Sequence, residues 1–307
     1  MQQFCPLKEE NLIKGRENIS SETVVMIGNG ALVNGWMPLR HVLDNWIQAH
    51  VDSHPVINKL RVQNSEAMHQ LAGLSYKFKI ARGSIYRQWQ SGEMKPDQTA
   101  HAGLGTSIEE FLSIREQVGQ QYRIASGDLM LNNDEEAKKF LDDDAVYITT
   151  NWDNALWLDE NVKKAIYLHG RCDFSDSLVF PTELIIEDIA YDCDKLLELT
   201  QNCSSEFQRK ILKTFRCSTV EALLSAHTIA SRLIHQAKRL IIWGYSLGDF
   251  DADINAIIGN NINREKTKEL IVINTDPYAF QRAVALTGLI RAWHFDPKLG
   301  YTLKLDI

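Results

Sequence analysis

The stretch AVYITTNWDNALW, residues 145–157, decides how this chain is read. Val146 to Thr149 are residue types that favour a strand. The run shows no polar alternation, so both faces of the strand are expected to be covered, as in a parallel sheet between helices. It then runs straight into Asn151, Trp152 and Asp153. Short polar side chains at a strand end admit two readings. They stop the strand and cap the next helix, or they form half of a site on the sheet edge where α/β proteins take their ligands.

Four more short apolar runs share this character: 23–27 (TVVMI), 165–168 (AIYL), 240–243 (LIIW) and 270–273 (LIVI). Their turns read GNGALVNG, HGR, GYSLGD and NTDP. Five strands of this kind predict an α/β fold with a Rossmann-like, doubly wound parallel sheet, its five loops gathered on one edge. The stretches between them read as helical. In SIEEFLSIREQVGQQY, residues 107–122, Ile108, Phe111, Leu112 and Ile114 favour one face. SEFQRKILKTF and TVEALLSAHTIASRLIHQA also have helical spacing. The chain is therefore read as a single domain over 1–307, with helical insertions at about 50–140 and 172–236.

Composition excludes some classes. The 307 residues are 44% hydrophobic, enough to bury a multi-strand core. The net charge of −7 argues against direct nucleic-acid binding, which needs clustered Lys and Arg. The N-terminal MQQFCPLKEENLIKG lacks the apolar core of a secretory leader, and no window reaches the roughly 18 apolar residues of a membrane span. A cytoplasmic protein without membrane contact is expected. The five cysteines, Cys5, Cys172, Cys193, Cys203 and Cys217, form no CxxC pair and read as free thiols. A zinc site built from the last four is the alternative, but zinc modules favour closely paired ligands.

In GNGALVNGWMPLR, residues 28–40, Gly28 and Gly30 lack Cβ, so backbone can pass close to a phosphate. Amides of the turn and of the following helix would face a pyrophosphate. The third glycine of the dehydrogenase fingerprint is missing, as is an acidic ribose ligand on a nearby second strand, which disfavours a dehydrogenase.

Taken in order, the segments resemble the Sir2 family, the sirtuins and their bacterial Sir2-like relatives. The glycine turn carries Gly28, Asn29, Gly30, Gly35, Pro38 and Arg40. TNWD follows at Thr150 to Asp153, then His169-Gly170, then Gly244 to Asp249, then Val272 to Asn274. The resemblance spans about residues 23–276. It also departs from the family. The paired-cysteine zinc module of the sirtuin deacylases has no counterpart, Gly-Ala-Gly has become Gly28-Asn29-Gly30, and Pro38-Leu39-Arg40 lacks the family's preceding Asp. Without the zinc module the deacylase peptide groove is in doubt. The resemblance thus implies a bacterial Sir2-like NAD-cleaving effector of antiphage defence, an NAD+ glycohydrolase (NADase) acting by abortive infection. NAD+ would be its substrate, and no metal is expected.

For that reaction the resemblance implies His169 as base, since imidazole titrates near working pH. Asn151 would orient water or ribose. Asp153 would support the ribose or the oxocarbenium charge, or else only cap the helix beginning near Ala155. Gly28, Asn29, Gly30, Pro38, Arg40, Thr150, Gly244, Ser246 and Asn274 would bind the rest of the dinucleotide, with Gly244 and Ser246 on the adenosine-side phosphate or ribose and Asn274 on the adenosine ribose. Trp152 reads as packing. Asp249, Asp251 and Asp253 read as acids complementing a helix N-terminus in preference to a metal cluster. Ser246 is not taken as a nucleophile.

Two other readings stand beside this one: a catalytically silent NAD or ADP-ribose sensor, and an NAD-dependent deacylase or ADP-ribosyltransferase. An unrestrained NADase would kill its own cell, so a homo-oligomer is expected, with control by a partner such as a HerA-like ATPase or another defence protein. Trigger and product, ADP-ribose or a cyclic form, are open at this point.

Overall fold

The computed structural model describes residues 7–51, 64–91, 102–132, 134–183, 191–192, 194–196, 198, 214–215, 219–289 and 291–306. The described strands are β1 (Ile13–Lys14), β2 (Thr23–Ile27), β3 (Val146–Thr149), β4 (Lys164–Tyr167), β5 (Arg239–Trp243), β6 (Glu269–Ile273), β7 (Arg291–Asp296) and β8 (Tyr301–Asp306). They form one eight-stranded sheet in the order β1-β4-β3-β2-β5-β6-β7-β8. The six central strands are parallel, and the edge strands β1 and β8 run antiparallel. Counted from β2, the parallel strands follow the order 3-2-1-4-5-6 of a doubly wound sheet.

Why these segments form the centre follows from their side chains. Every residue of β2 and β3 is buried. Such strands need apolar residues pointing both ways, and β-branched side chains suit the pleat. The register pairs Val24 with Val146 on one side and with Leu240 on the other. Each buried aliphatic side chain contributes roughly 1.5–3 kcal/mol.

The described helices are α1 (Met37–Val51), α2 (Asn64–Gln90), α3 (Ala102–Ala125), the short α4 (Glu135–Lys138) and α5 (Ala155–Leu158), then α6 (Val220–Gln236), α7 (Ala252–Asn261) and α8 (Pro277–Thr287). The first three lie between β2 and β3 and pack on one another. Ile108, Phe111, Ile114, Val118 and Tyr122 of α3 are buried at three- and four-residue spacing. They build a second core with Phe78 and Ile85 of α2 and Leu39 and Leu43 of α1. Leu32, Trp152, Cys172, Leu178 and Phe180 belong to that core too. These residues follow the C-terminal ends of β2, β3 and β4, so the helical insertion is built onto the edge that carries the polar loops.

The second expected insertion lies partly outside the described residues, including most of SEFQRKILKTF. Its end is α6, with Leu223, Ala226, Ala230, Leu233 and Ile234 buried against the sheet core. No described helix is long and apolar enough to cross a membrane.

Candidate functional site

The strand order of a doubly wound sheet reverses at one point, here between β2 and β5, and folds of this kind take their ligands outside the strand ends there. The turns after those two strands meet backbone to backbone. Gly30 N donates to Gly244 O at 3.0 Å, and Gly28 N to Trp243 O at 3.0 Å. A Cβ on Gly28 or Gly30 would stand 2.6 or 2.8 Å from Gly244 O, and one on Gly244 only 1.9 Å from Ala31 N. Gly244 also has φ +61°, where a side chain is strained. These glycines are needed for contact between two protein turns. Four of the turn's amides have protein partners: Ala31 N donates to Gly28 O and Leu32 N to Asn29 O, beside the two glycine bonds above. No long helix starts there either. Asn29–Ala31 is a single 3₁₀ turn, and α1 begins only at Met37. What the turn offers at this edge is the Asn29 side chain, whose Oδ1 is buried without a hydrogen-bond partner.

Pro38 is buried in the first turn of α1, where its missing N–H costs nothing. Arg40 follows, half-buried, with Nε buried and unpartnered.

At the end of β3 the side chain of Thr149 ties the turn to the neighbouring strand. Thr149 Oγ1 donates to Ile27 O at 3.2 Å and accepts from Asn151 N at 3.0 Å. Thr150 sits half-buried beside it. Asn151 and Asp153 are both buried. Asp153 Oδ1 accepts from Ala155 N at 2.7 Å, so it does cap the short helix α5. Its other oxygen, Oδ2, is buried and unpartnered. Burial raises the Asp153 carboxyl to a pKa of about 6, against the lowering effect of the hydrogen bond from Ala155 N. Trp152 is packing, as its Nε1 donates to Val179 O at 3.1 Å and its ring tilts against Phe180.

Tyr122, on α3, was not among the residues the sequence singled out. Its hydroxyl donates to Gly35 O at 3.0 Å and lies against the Asn29 amide. Burial first, and then the Asp153 charge, hold its pKa far above the usual phenol range. It ties the helical insertion to the two polar strand ends. Only its place in an apolar helical stripe was visible in the sequence, and that pattern marks core.

His169 lies at the end of β4, buried, with Nε2 3.3 Å from Asp253 Oδ2. Its neighbour His227, on α6, places Nε2 3.0 Å from Leu168 O. Asp253 stands in the first turn of α7. The chain from Gly244 to Asp253 thus reaches from β5 to the end of β4, past the two strands between them. The acid assigned only to a helix N-terminus therefore meets the candidate base. Asp251 lies nearby and is raised by burial. Among the described residues no group of three or more His, Cys, Asp or Glu could hold a metal ion. Cys193, Cys203 and Cys217 lie outside the described residues, and Cys172 is buried and free.

GYSLG has the G-x-S-x-G spacing of a nucleophile elbow, so spacing alone does not dismiss Ser246. The backbone does not form the elbow, because positive φ falls on Gly244 and Leu247 and not on the serine. Ser246 is exposed, and its carbonyl accepts from Arg282 Nε at 2.8 Å. Among the described residues no histidine bonds its hydroxyl. Asn274, after β6, braces loops: Nδ2 donates to Tyr245 O at 3.2 Å and Oδ1 accepts from Asp276 N at 3.0 Å.

The structure thus gathers Asn29, Asn151, Asp153 and His169 at the ends of β2, β3 and β4, with Gly244, Ser246 and Asn274 continuing along β5 and β6. Comparison with protein-family models, curated proteins and solved structures finds no match.

Proposed function

We propose that the protein is an NAD+ glycohydrolase of Sir2-like type, cleaving the bond between nicotinamide and ribose. The observation that carries this reading is the placement of Asn151 and His169 at the ends of the neighbouring strands β3 and β4, beside the switch point of the sheet. Five adjacent strand ends, from β4 to β6, span roughly 19 Å at the usual strand spacing, enough for an extended dinucleotide. Buried polar atoms on Asn29, Arg40 and Asp153 have no hydrogen-bond partner among the described residues and are groups that a polar ligand would satisfy.

The chemistry asks little of the protein. Nicotinamide leaves with the electron pair of the C1′–N bond and becomes neutral. The ribose passes through an oxocarbenium-like state, water adds to C1′, and His169 takes the water proton. ADP-ribose is the product. Asn151 offers donor and acceptor to the water or a ribose hydroxyl. Asp153, once ionised, places negative charge beside the cationic sugar. Depletion of NAD during phage infection would follow from this activity.

Incubation of the purified protein with NAD+ tests the reading, with free nicotinamide as the readout. NAD+ binding without any nicotinamide release would favour the silent sensor.

A further inference from the structure

His169 is enclosed by groups from several elements. Asp253 and Asp251 face it from the start of α7 and the turn before it, His227 from α6, and Glu183 from the segment after β4. Glu183 is itself paired with Arg115 at 2.6 Å. Among the described residues only Asp253 is within hydrogen-bond reach of the ring, with 7% of the His169 side chain and 20% of the Asp253 side chain exposed. Burial opposes ionisation of Asp253, but His169 outweighs it and holds the carboxyl below its ordinary range. Asp253 is therefore an anion at neutral pH, and an anionic carboxylate only accepts hydrogen bonds. The proton in this contact must sit on Nε2. A neutral imidazole carries one proton, so Nδ1 is then the nitrogen with a free lone pair.

We propose that Asp253 is a positioning residue for His169, fixing the Nε2–H tautomer so that Nδ1 takes the proton from the attacking water. This rests on the reading of His169 as base in NAD+ cleavage. Asp253 does not touch substrate in this account; it selects the tautomer and orients the ring, as carboxylates do for catalytic histidines elsewhere. It also sets the working pH. Burial works against the imidazolium, yet Asp253 together with Asp251 and Glu183 raises the His169 pKa above 6.5. The base is available only above that pKa, so activity rises with pH through it.

The test combines nitrogen NMR of the His169 ring, assigned with His169→Ala, and pH profiles of nicotinamide release by the full chain. In the wild type the neutral ring should carry its proton on Nε2 and titrate above 6.5. In Asp253→Asn the midpoint should fall, and the acid limb of kcat should move to lower pH by the same amount. The alkaline plateau should drop roughly 10²–10⁴-fold with KM little changed, and Asp253→Glu should recover part of the loss. A loss of fold stability alone would move neither the titration nor the limb. A wild type that cleaves NAD+ while its His169 titration ignores Asp253, or keeps its proton on Nδ1, overturns the positioning role alone. Absence of nicotinamide release from the wild type at every pH overturns the functional reading, and with it any catalytic role for Asp253; the NMR arm still decides the pairing.

Discussion

Asp153 carries two tasks on one carboxylate. Oδ1 holds the start of α5, while buried Oδ2 has no partner. Burial moves its pKa from 3.8 to about 6, so the folded state prefers the protonated acid. The sign follows directly. Well below pH 3.8 both states are protonated and there is no penalty. Between pH 3.8 and about 6 the unfolded carboxyl ionises before the folded one, so the penalty builds up to about 3 kcal/mol and is complete above pH 6. Asp153→Asn keeps an oxygen for Ala155 N and removes the charge. It should therefore stabilise the protein at pH 7 by a few kcal/mol at most, leave stability at pH 4 nearly unchanged, and lower NAD+ turnover. Urea titrations of both proteins at the two pH values check this; a variant less stable than wild type at pH 7 would show that Asp153 is held as a favourable anion. The dual role was open in the sequence, because a strand-end Asp two residues before a helix fits a cap and a ligand equally.

At the level of elements, the turns after β2 and β5 were legible as glycine turns but not as partners of each other. The reading of Gly28 and Gly30 as room for a phosphate follows from local spacing. Their contact with Gly244 is a tertiary fact, set by strands more than 200 residues apart in the chain. The expected consequence of Gly30→Val changes accordingly. A branched side chain would meet the Gly244 carbonyl, and overpacking of this kind costs roughly 1–3 kcal/mol or more. Gly30→Val should lose stability first, seen as a lowered denaturation midpoint without ligand. A stable, folded Gly30→Val protein with weakened NAD+ affinity would support the phosphate reading. The five strands β2 to β6 were readable because their apolar runs are continuous. β1, β7 and β8 were not: β1 has two residues, and RAWHFD and YTLKLD mix polar and apolar residues, unlike the continuous runs of the other strands. Asp253 was placed at a helix start correctly, but its meeting with His169 depends on how the segment after β5 crosses the sheet edge, which spacing does not reveal.

For the whole molecule, the account needs no metal. The proposed C–N cleavage uses a leaving group that departs neutral, a positioned water and one base. Protein dialysed against chelator should keep both its denaturation midpoint and its nicotinamide release; stoichiometric zinc by elemental analysis, or unfolding on chelation, would contradict this. The parallel character of the sheet and the placement of the polar loops on one edge followed from patterning, since buried parallel strands and their terminal turns have simple signatures; the strand order came only with the structure. The role of the helical insertion did not. Its apolar stripes predicted packing, yet Tyr122 reaches Gly35 and Asn29 at the candidate site, and Trp152 and Phe180 join its core. The measurement that bears most directly on the central claim is nicotinamide release from NAD+ by the purified full chain, beside His169→Ala and Asn151→Ala proteins shown to be folded by circular dichroism. The account predicts release by the wild type and a fall of roughly 10²–10⁴-fold in each variant. No release by the wild type, or wild-type turnover in either folded variant, would contradict it.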